Sequence, residues 1–334
     1  MPIPELSQLE QILHKHRHKV RTSCLAEIGH QNHRFPILGV ELGSQQLHAP
    51  TVIFVGGVHG VERIGSQVVI AFLSCLLERL EWDEHFQRLF DKVRVAFLPL
   101  LNPVGFYQNS RANGNGVDLM RNGQVDAVCN VTPLVGGHRI SPVLPWYRGK
   151  HGLELESQVL IDFVSDLITR SRVTLSLDAH SGFGLKDYLW FPYAGNVAPF
   201  PGLAQMFRLM QLFDTTYPYH AHYQAAPQSH FYTTHGDLWD HLIKGHKKAT
   251  FLPLTLEMGS WLWVKKNPKQ LFNFAGFFNP QKRHRQERIL RRHTVMMNFL
   301  IQAAYSAEQW LPGEQAKMDY HAQAMQLWYQ KVKR

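Results

Sequence analysis

Three short apolar runs, each ended by residues able to ligate a metal or move a proton, set the strongest limit on how this chain folds. Residues 51–55 (Thr-Val-Ile-Phe-Val) stop at Gly56-Gly57 and lead to His59 and Glu62. Residues 173–177 run into Asp178-Ala179-His180, and residues 251–256 end at Glu257. Runs of this kind, rich in β-branched and apolar side chains, read as strands buried on both faces. Segments 93–98 and 189–191 read as further strands. Between them, 64–80, 155–168, 203–213 and 289–304 carry apolar residues at helical spacing. The alternation predicts one α/β domain on a mixed, mostly parallel twisted sheet with helices on both faces.

Composition narrows the class. With 334 residues, 45% of them hydrophobic and 18% charged, the chain is too apolar to stay disordered. Its longest nearly unbroken apolar run, 68–77, is ten residues, about half of the roughly 20 that cross a bilayer. Met1-Pro2-Ile3-Pro4-Glu5 has neither the basic start nor the apolar stretch of a secretory signal. Cys24, Cys75 and Cys129 are few and far apart, which points to a reducing compartment. The expected location is therefore the cytoplasm, with no membrane partner. The net charge of +9 is concentrated in Lys282, Arg283, Arg285, Arg288, Arg291 and Arg292 and in the closing Lys331, Lys333 and Arg334. Such a stretch is either a solvated helix face or a phosphate-binding surface.

In open α/β sheets, ligands bind beyond the carboxyl ends of the strands. Three strand ends here deliver His59, Glu62, His180 and Glu257 toward one rim. Two histidines and one carboxylate, with a position left open, form a known catalytic zinc set, and Glu257 remains as a base. The spacing His59-x-x-Glu62 is too short for a helical i, i+4 pair. It suits a tight strand-to-helix turn in which Gly60 permits unusual backbone angles. Alone, the same spacing also occurs in surface turns.

Between these residues lie Asn102-Pro103-Val104-Gly105, Arg111-Ala112-Asn113 and Gly116-Val117-Asp118-Leu119-Met120-Arg121-Asn122. With the Gly57-Val58-His59-Gly60-Val61-Glu62 turn, Asp178-Ala179-His180-Ser181, Phe191-Pro192-Tyr193 and Thr255-Leu256-Glu257 in order, the sequence resembles the zinc carboxypeptidases, the carboxypeptidase A-like family. The resemblance spans roughly 35–304. It implies one zinc ion held by His59, Glu62 and His180, with Glu257 as general base and Arg111 facing the oxyanion. It further implies Arg121 gripping a terminal carboxylate, Asn113 at the substrate, Asp118 orienting His59, and Tyr232 as a mobile residue that covers the substrate. Tyr232 also reads as one more aromatic in an aromatic-rich chain. His138, His151, His230, His235 and His241 read as loop or surface imidazoles, not as ligands of a second metal.

Two departures from the family pattern stand out. Met120 replaces an asparagine that would donate to a substrate carboxylate, and Trp239 falls near the position lining the specificity pocket. The domain reading is a helical lead-in over 1–34, the zinc carboxypeptidase-like catalytic domain over 35–305 and a helical appendage over 306–334. The long loop 124–152, broken by Pro133, Pro142 and Pro145, reads as functional or mobile. With the first motif already at His59, a separate inhibitory domain ahead of it is not expected. The expected activity is hydrolysis of a C-terminal peptide or peptide-like amide, murein peptides included. The alternatives are a zinc amidohydrolase on small N-acyl amino acids, like succinylglutamate desuccinylase and aspartoacylase, and a non-catalytic anion-binding protein. Nucleic acid is not expected as a partner, and the oligomeric state is open.

Overall fold

The structure is a computed structural model that describes residues 3–220, 222–272 and 274–330. The closing cations Lys331, Lys333 and Arg334 lie outside the described residues. Among the described residues the strands are β1 (Arg21–His30), β2 (His33–Gly43), β3 (Thr51–Gly56), β4 (Arg94–Leu98), β5 (Thr174–Ser181), β6 (Asp187–Phe191), β7 (Tyr223–Pro227) and β8 (Phe251–Met258). The helices are α1 (Pro4–Lys15), α2 (Arg63–Arg79), α3 (Glu84–Phe90), α4 (Pro103–Gln108), α5 (Leu155–Thr169), α6 (Leu203–Thr216), α7 (Leu238–Gly245), α8 (Trp261–Lys266), α9 (Arg283–Tyr305), α10 (Ala307–Trp310) and α11 (Glu314–Ala324).

All eight strands form one sheet, in the order β1-β2-β4-β3-β5-β8-β6-β7. The central four, β4, β3, β5 and β8, run parallel, as do β6 and β7; β1–β2, β2–β4 and β6–β8 pair antiparallel. Every residue of β3, β5 and β8 is buried, as expected for strands covered on both faces. The apolar stripe of α2, including Val68, Val69, Phe72 and Leu76, packs with α9 against β3 and β5, while α5 packs against β1, β3 and α7. No helix among the described residues is long and apolar enough to cross a membrane.

Two parts of the domain reading change. Residues 21–30 are not part of a helical lead-in: only α1 is helical there, and β1 hairpins onto β2 to extend the sheet. As an edge strand, β1 is mostly exposed and carries polar residues, so it shows no apolar period. The C-terminal segment is helical but closely docked. Its α11 lies along α6, Trp328 Nε1 donates to the Ala225 carbonyl at 3.0 Å, and the Trp328 ring meets buried Phe191 at 4.7 Å between centroids.

The parallel centre sets up the site. With β3, β5 and β8 adjacent and running the same way, their carboxyl ends open on one rim. Register pairs Asp178 with Thr255 and His180 with Glu257, so the imidazole and the carboxylate project side by side. At the end of β3, the Glu62 amide bonds the His59 carbonyl at 3.1 Å and α2 begins. Gly60 is required here for space, not for an unusual dihedral. A Cβ on it would lie 1.9 Å from the Gly105 carbonyl carbon. Gly57 is the residue that takes a left-handed φ, at 70°.

Candidate active site

Glu62 stands between the two histidines. Its Oε1 is 2.8 Å from His59 Nδ1, and its Oε2 is 3.1 Å from His180 Nδ1 and accepts the Ser181 amide at 3.0 Å. All three side chains are buried, and their ligand atoms lie within 4.8 Å of one another. On the far side of each ring a carboxylate waits. His59 Nε2 is 3.0 Å from Asp118 Oδ1, and His180 Nε2 is 2.7 Å from Asp178 Oδ2.

This arrangement fits a metal. Carboxylates can only accept, so Asp118 and Asp178 suit a proton on each Nε2, while each Nδ1 faces a second carboxylate, Glu62. At these distances Nδ1 and Glu62 need a cation between them, either a proton or a metal ion that replaces it. Two nitrogens and a carboxylate oxygen are donors that zinc accepts, and carboxylates behind the histidines are the usual way of holding such ligands. The charge balance points the same way. Burial works against ionising His180, yet Asp178 and Glu62 outweigh it and push the imidazole well above its ordinary value.

Arg111 bridges the acidic residues, with Nε on Asp118 Oδ2 and an NH group on Glu62 Oε1, both at 2.9 Å. Burial resists ionisation of Asp118, but Arg111 and His59 hold it well below the usual carboxylate range. Glu257 is 7% exposed. Burial, with the negative charge of Glu62 added, pushes its carboxyl up to about 8. Arg121 is fixed by the Val135 carbonyl at 3.2 Å and the Met120 carbonyl at 3.3 Å, and its guanidinium lies 5.8 Å from the centre of the Tyr232 ring. His59, Glu62, Arg111, Arg121, His180, Tyr232 and Glu257 all line one cavity of about 880 Å³. Its mouth is formed partly by Pro142 to Trp146 of the long loop.

The zinc carboxypeptidase family profile matches residues 10–285. The chain belongs to the zinc carboxypeptidase family. Among curated relatives, carboxypeptidase SOL1 of Arabidopsis thaliana is 30% identical over 104 residues, 30% of this chain and 21% of that protein. The carboxypeptidase N catalytic chain of Rattus norvegicus is 27% identical over 162 residues, 44% of this chain and 34% of that protein. The matches thus span only about a fifth to a third of those relatives' lengths. In fold, the chain is similar to carboxypeptidase A from Helicoverpa armigera, with a TM-score of 0.68 and 19% identity over 90% of this chain and 72% of that one. Thrombin-activatable fibrinolysis inhibitor gives 0.64 and 17% over the same shares. The family is zinc-dependent, and the His59–Glu62–His180 cluster is where this member could hold the ion.

Most residues expected at the site converge, but two do not. Asn113 is turned away from the cavity. Its amide nitrogen donates to Glu154 at 2.9 Å and Glu156 at 3.1 Å, and its oxygen accepts the Asn115 and Val117 amides at 3.0 Å. It builds the turn that presents Asp118 instead of touching substrate. Trp239 does not line the cavity either; it is buried, and its Nε1 donates to Asp178 Oδ2 at 3.1 Å. The side chains that do shape the cavity near Tyr232 are Phe183, Trp190, Phe231 and Thr255. The additional histidines serve local roles: His138 meets the Pro145 carbonyl at 2.7 Å, His241 accepts the Gln124 amide at 3.2 Å, and His235 accepts the Ala127 amide at 3.1 Å.

Asp178 is a positioning residue that the motif reading overlooked. The clue lay in its distance from His180: two residues apart on a strand, both side chains leave the same face. Asp178→Asn removes the negative charge behind His180 and lets an amide donor turn toward Nε2, so the His180 tautomer is no longer enforced. Zinc affinity is expected to fall about 10- to 100-fold, the usual effect of losing such a partner. Competition against a chromogenic chelator checks this, and unchanged affinity would refute the assigned role.

Proposed function

We propose that this chain is a zinc-dependent hydrolase of the carboxypeptidase type, holding one zinc ion and removing the last residue of a peptide or peptide-like amide. The observation that carries the reading is the single cavity that unites the three-ligand cluster, the buried Glu257 and two arginines. When bound, zinc supplies a Lewis acid for the scissile carbonyl and lowers the pKa of the attacking water. Glu257 takes a proton at its carboxylate and returns it to the leaving amine. Burial and the Glu62 charge raise its carboxyl, and a zinc ion held by Glu62 would offset part of that rise, bringing the group toward the range in which one carboxyl can both take and return a proton. Arg111 offers a fixed cation where oxyanion charge develops, so its stabilisation grows toward the transition state. Arg121 offers a forked guanidinium to a terminal carboxylate, and Tyr232, beside it, closes that end of the cavity.

Met120 favours a second reading, hydrolysis of small N-acyl amino acids. It lines the cavity next to Arg121 and contributes no hydrogen-bond donor from its side chain. The cavity volume and its loop-built mouth favour the peptide. A panel of N-blocked dipeptides, the same dipeptides with amidated C-termini, and N-acyl amino acids separates the two, with zinc quantified on the same sample. The expected result is release of the terminal residue from free-carboxylate dipeptides, its loss on amidation, and abolition by a zinc chelator. Turnover of N-acyl amino acids alone would overturn the peptidase reading. The cytoplasm is proposed as the location on the basis of the sparse cysteines alone.

A further inference from the structure

A second cavity, of about 680 Å³, lies beyond the wall of the catalytic one and shares no lining residue with it. Its cations arrive from three separate elements. Lys186 precedes β6, Lys266 ends α8, and Arg285, Arg288 and Arg292 lie on α9. Positions i, i+3 and i+7 bring the three arginines onto one helix face. The one carboxylate in the lining is Asp187, and both of its oxygens are already engaged. Oδ2 pairs with Arg292 at 2.7 Å, and Oδ1 accepts the Gly259 amide at 2.9 Å. Among the described residues Arg285 reaches only the Trp263 carbonyl, at 3.3 Å. Lys186, Lys266 and Arg288 have no carboxylate partner among the described residues.

A basic run on a convex helix face needs no ligand, because water and salt screen it. Cations gathered from three elements around a concavity are different. Their mutual repulsion is focused by the low-dielectric walls and is relieved by a bound anion of matching charge. Five cations against one committed carboxylate leave a surplus of about four charges, more than a single monovalent ion neutralises. The volume falls within the range of small-molecule sites. Three guanidinium forks suit tetrahedral phosphate oxygens, and the lysines add point charge. Leu185, Leu262 and Ile289 supply an apolar floor beside them.

We propose that this cavity is a binding site for a small molecule bearing two or more phosphate groups, separate from the catalytic centre. Tripolyphosphate is the probe, titrated calorimetrically into the zinc-loaded full chain at fixed ionic strength. The expected result is saturable 1:1 binding that weakens steeply with added salt. Lys266 and Arg288 are exposed, so Lys266→Ala/Arg288→Ala is expected to fold, as circular dichroism checks, and to bind the probe at least about tenfold more weakly. Because the catalytic arginines and zinc also attract phosphate, Arg121→Ala serves as a control and is expected to bind tripolyphosphate as tightly as the parent. Equal affinity in the double variant, or loss of binding in Arg121→Ala alone, would overturn the site. Citrate binding as tightly as tripolyphosphate would overturn the assignment to phosphate.

Discussion

Replacing Glu257 with glutamine is expected to leave about one equivalent of zinc bound while lowering kcat by about 10²- to 10⁴-fold, the usual range for a lost proton-transfer group. The reasoning starts from burial. A carboxyl group 7% exposed near the end of a mostly apolar strand is unfavourable to ionise without a use or a partner, and the charges that act on it are those of Glu62, His180 and Arg111. Glutamine keeps the shape and the acceptor oxygen, so β8 and its register with β5 persist. It cannot take up a proton at any accessible pH. Zinc measured by atomic absorption and turnover on the same sample form the test. A variant that hydrolyses substrate at the parent rate would show that the proton moves elsewhere.

Glu62→Gln attacks the other half of the chemistry. Glu62 is the hub of the cluster: one oxygen faces His59 Nδ1 and Arg111, the other His180 Nδ1 and the Ser181 amide. Ionising it runs against burial, yet the two imidazoles hold it well below the ordinary glutamate range. Glutamine removes the negative charge and points a donor at one of the lone pairs that zinc requires. Zinc affinity is expected to drop at least about a hundredfold, more than for loss of an outer partner alone. Because the glutamine amide can donate to an imidazole, the metal-free protein is expected to remain folded. A chelator titration with circular dichroism in parallel checks both halves. Retention of tight zinc would remove Glu62 from the ligand set.

What the sequence made legible follows from burial. β3, β5 and β8 are covered on both faces, so their composition alone identifies them, and the polar residues at their ends carry the chemistry. The edge strands were hidden for the opposite reason. β1 is mostly solvent-facing, and β7 is only five residues long, so neither has an apolar pattern to read. The polar first turn and a half of α9, starting at Arg283 rather than 289, was hidden likewise. Within the site, residue types at matched positions identified what meets the cavity but not what faces away from it. Asn113 shares the motif with Arg111, yet tight turn hydrogen bonds rotate it inward. Trp239 stands where a pocket residue was expected, yet its indole is drawn to the buried Asp178, on the same oxygen that meets His180. Both outcomes depend on long-range contacts, with Glu156 in one case and β5 in the other, that spacing along the chain does not encode.

The pairing of His180 with Glu257 across β5 and β8 also bears on how the protein regains function after denaturation. Side chains alternate faces along a strand, so closing β8 one position out of step would send Glu257 to the opposite side of the sheet. A mispaired chain would therefore be inert rather than sluggish. In a refolding experiment, recovered turnover per zinc would count molecules whose last central strand has locked home, while spectroscopic helix content would count both kinds.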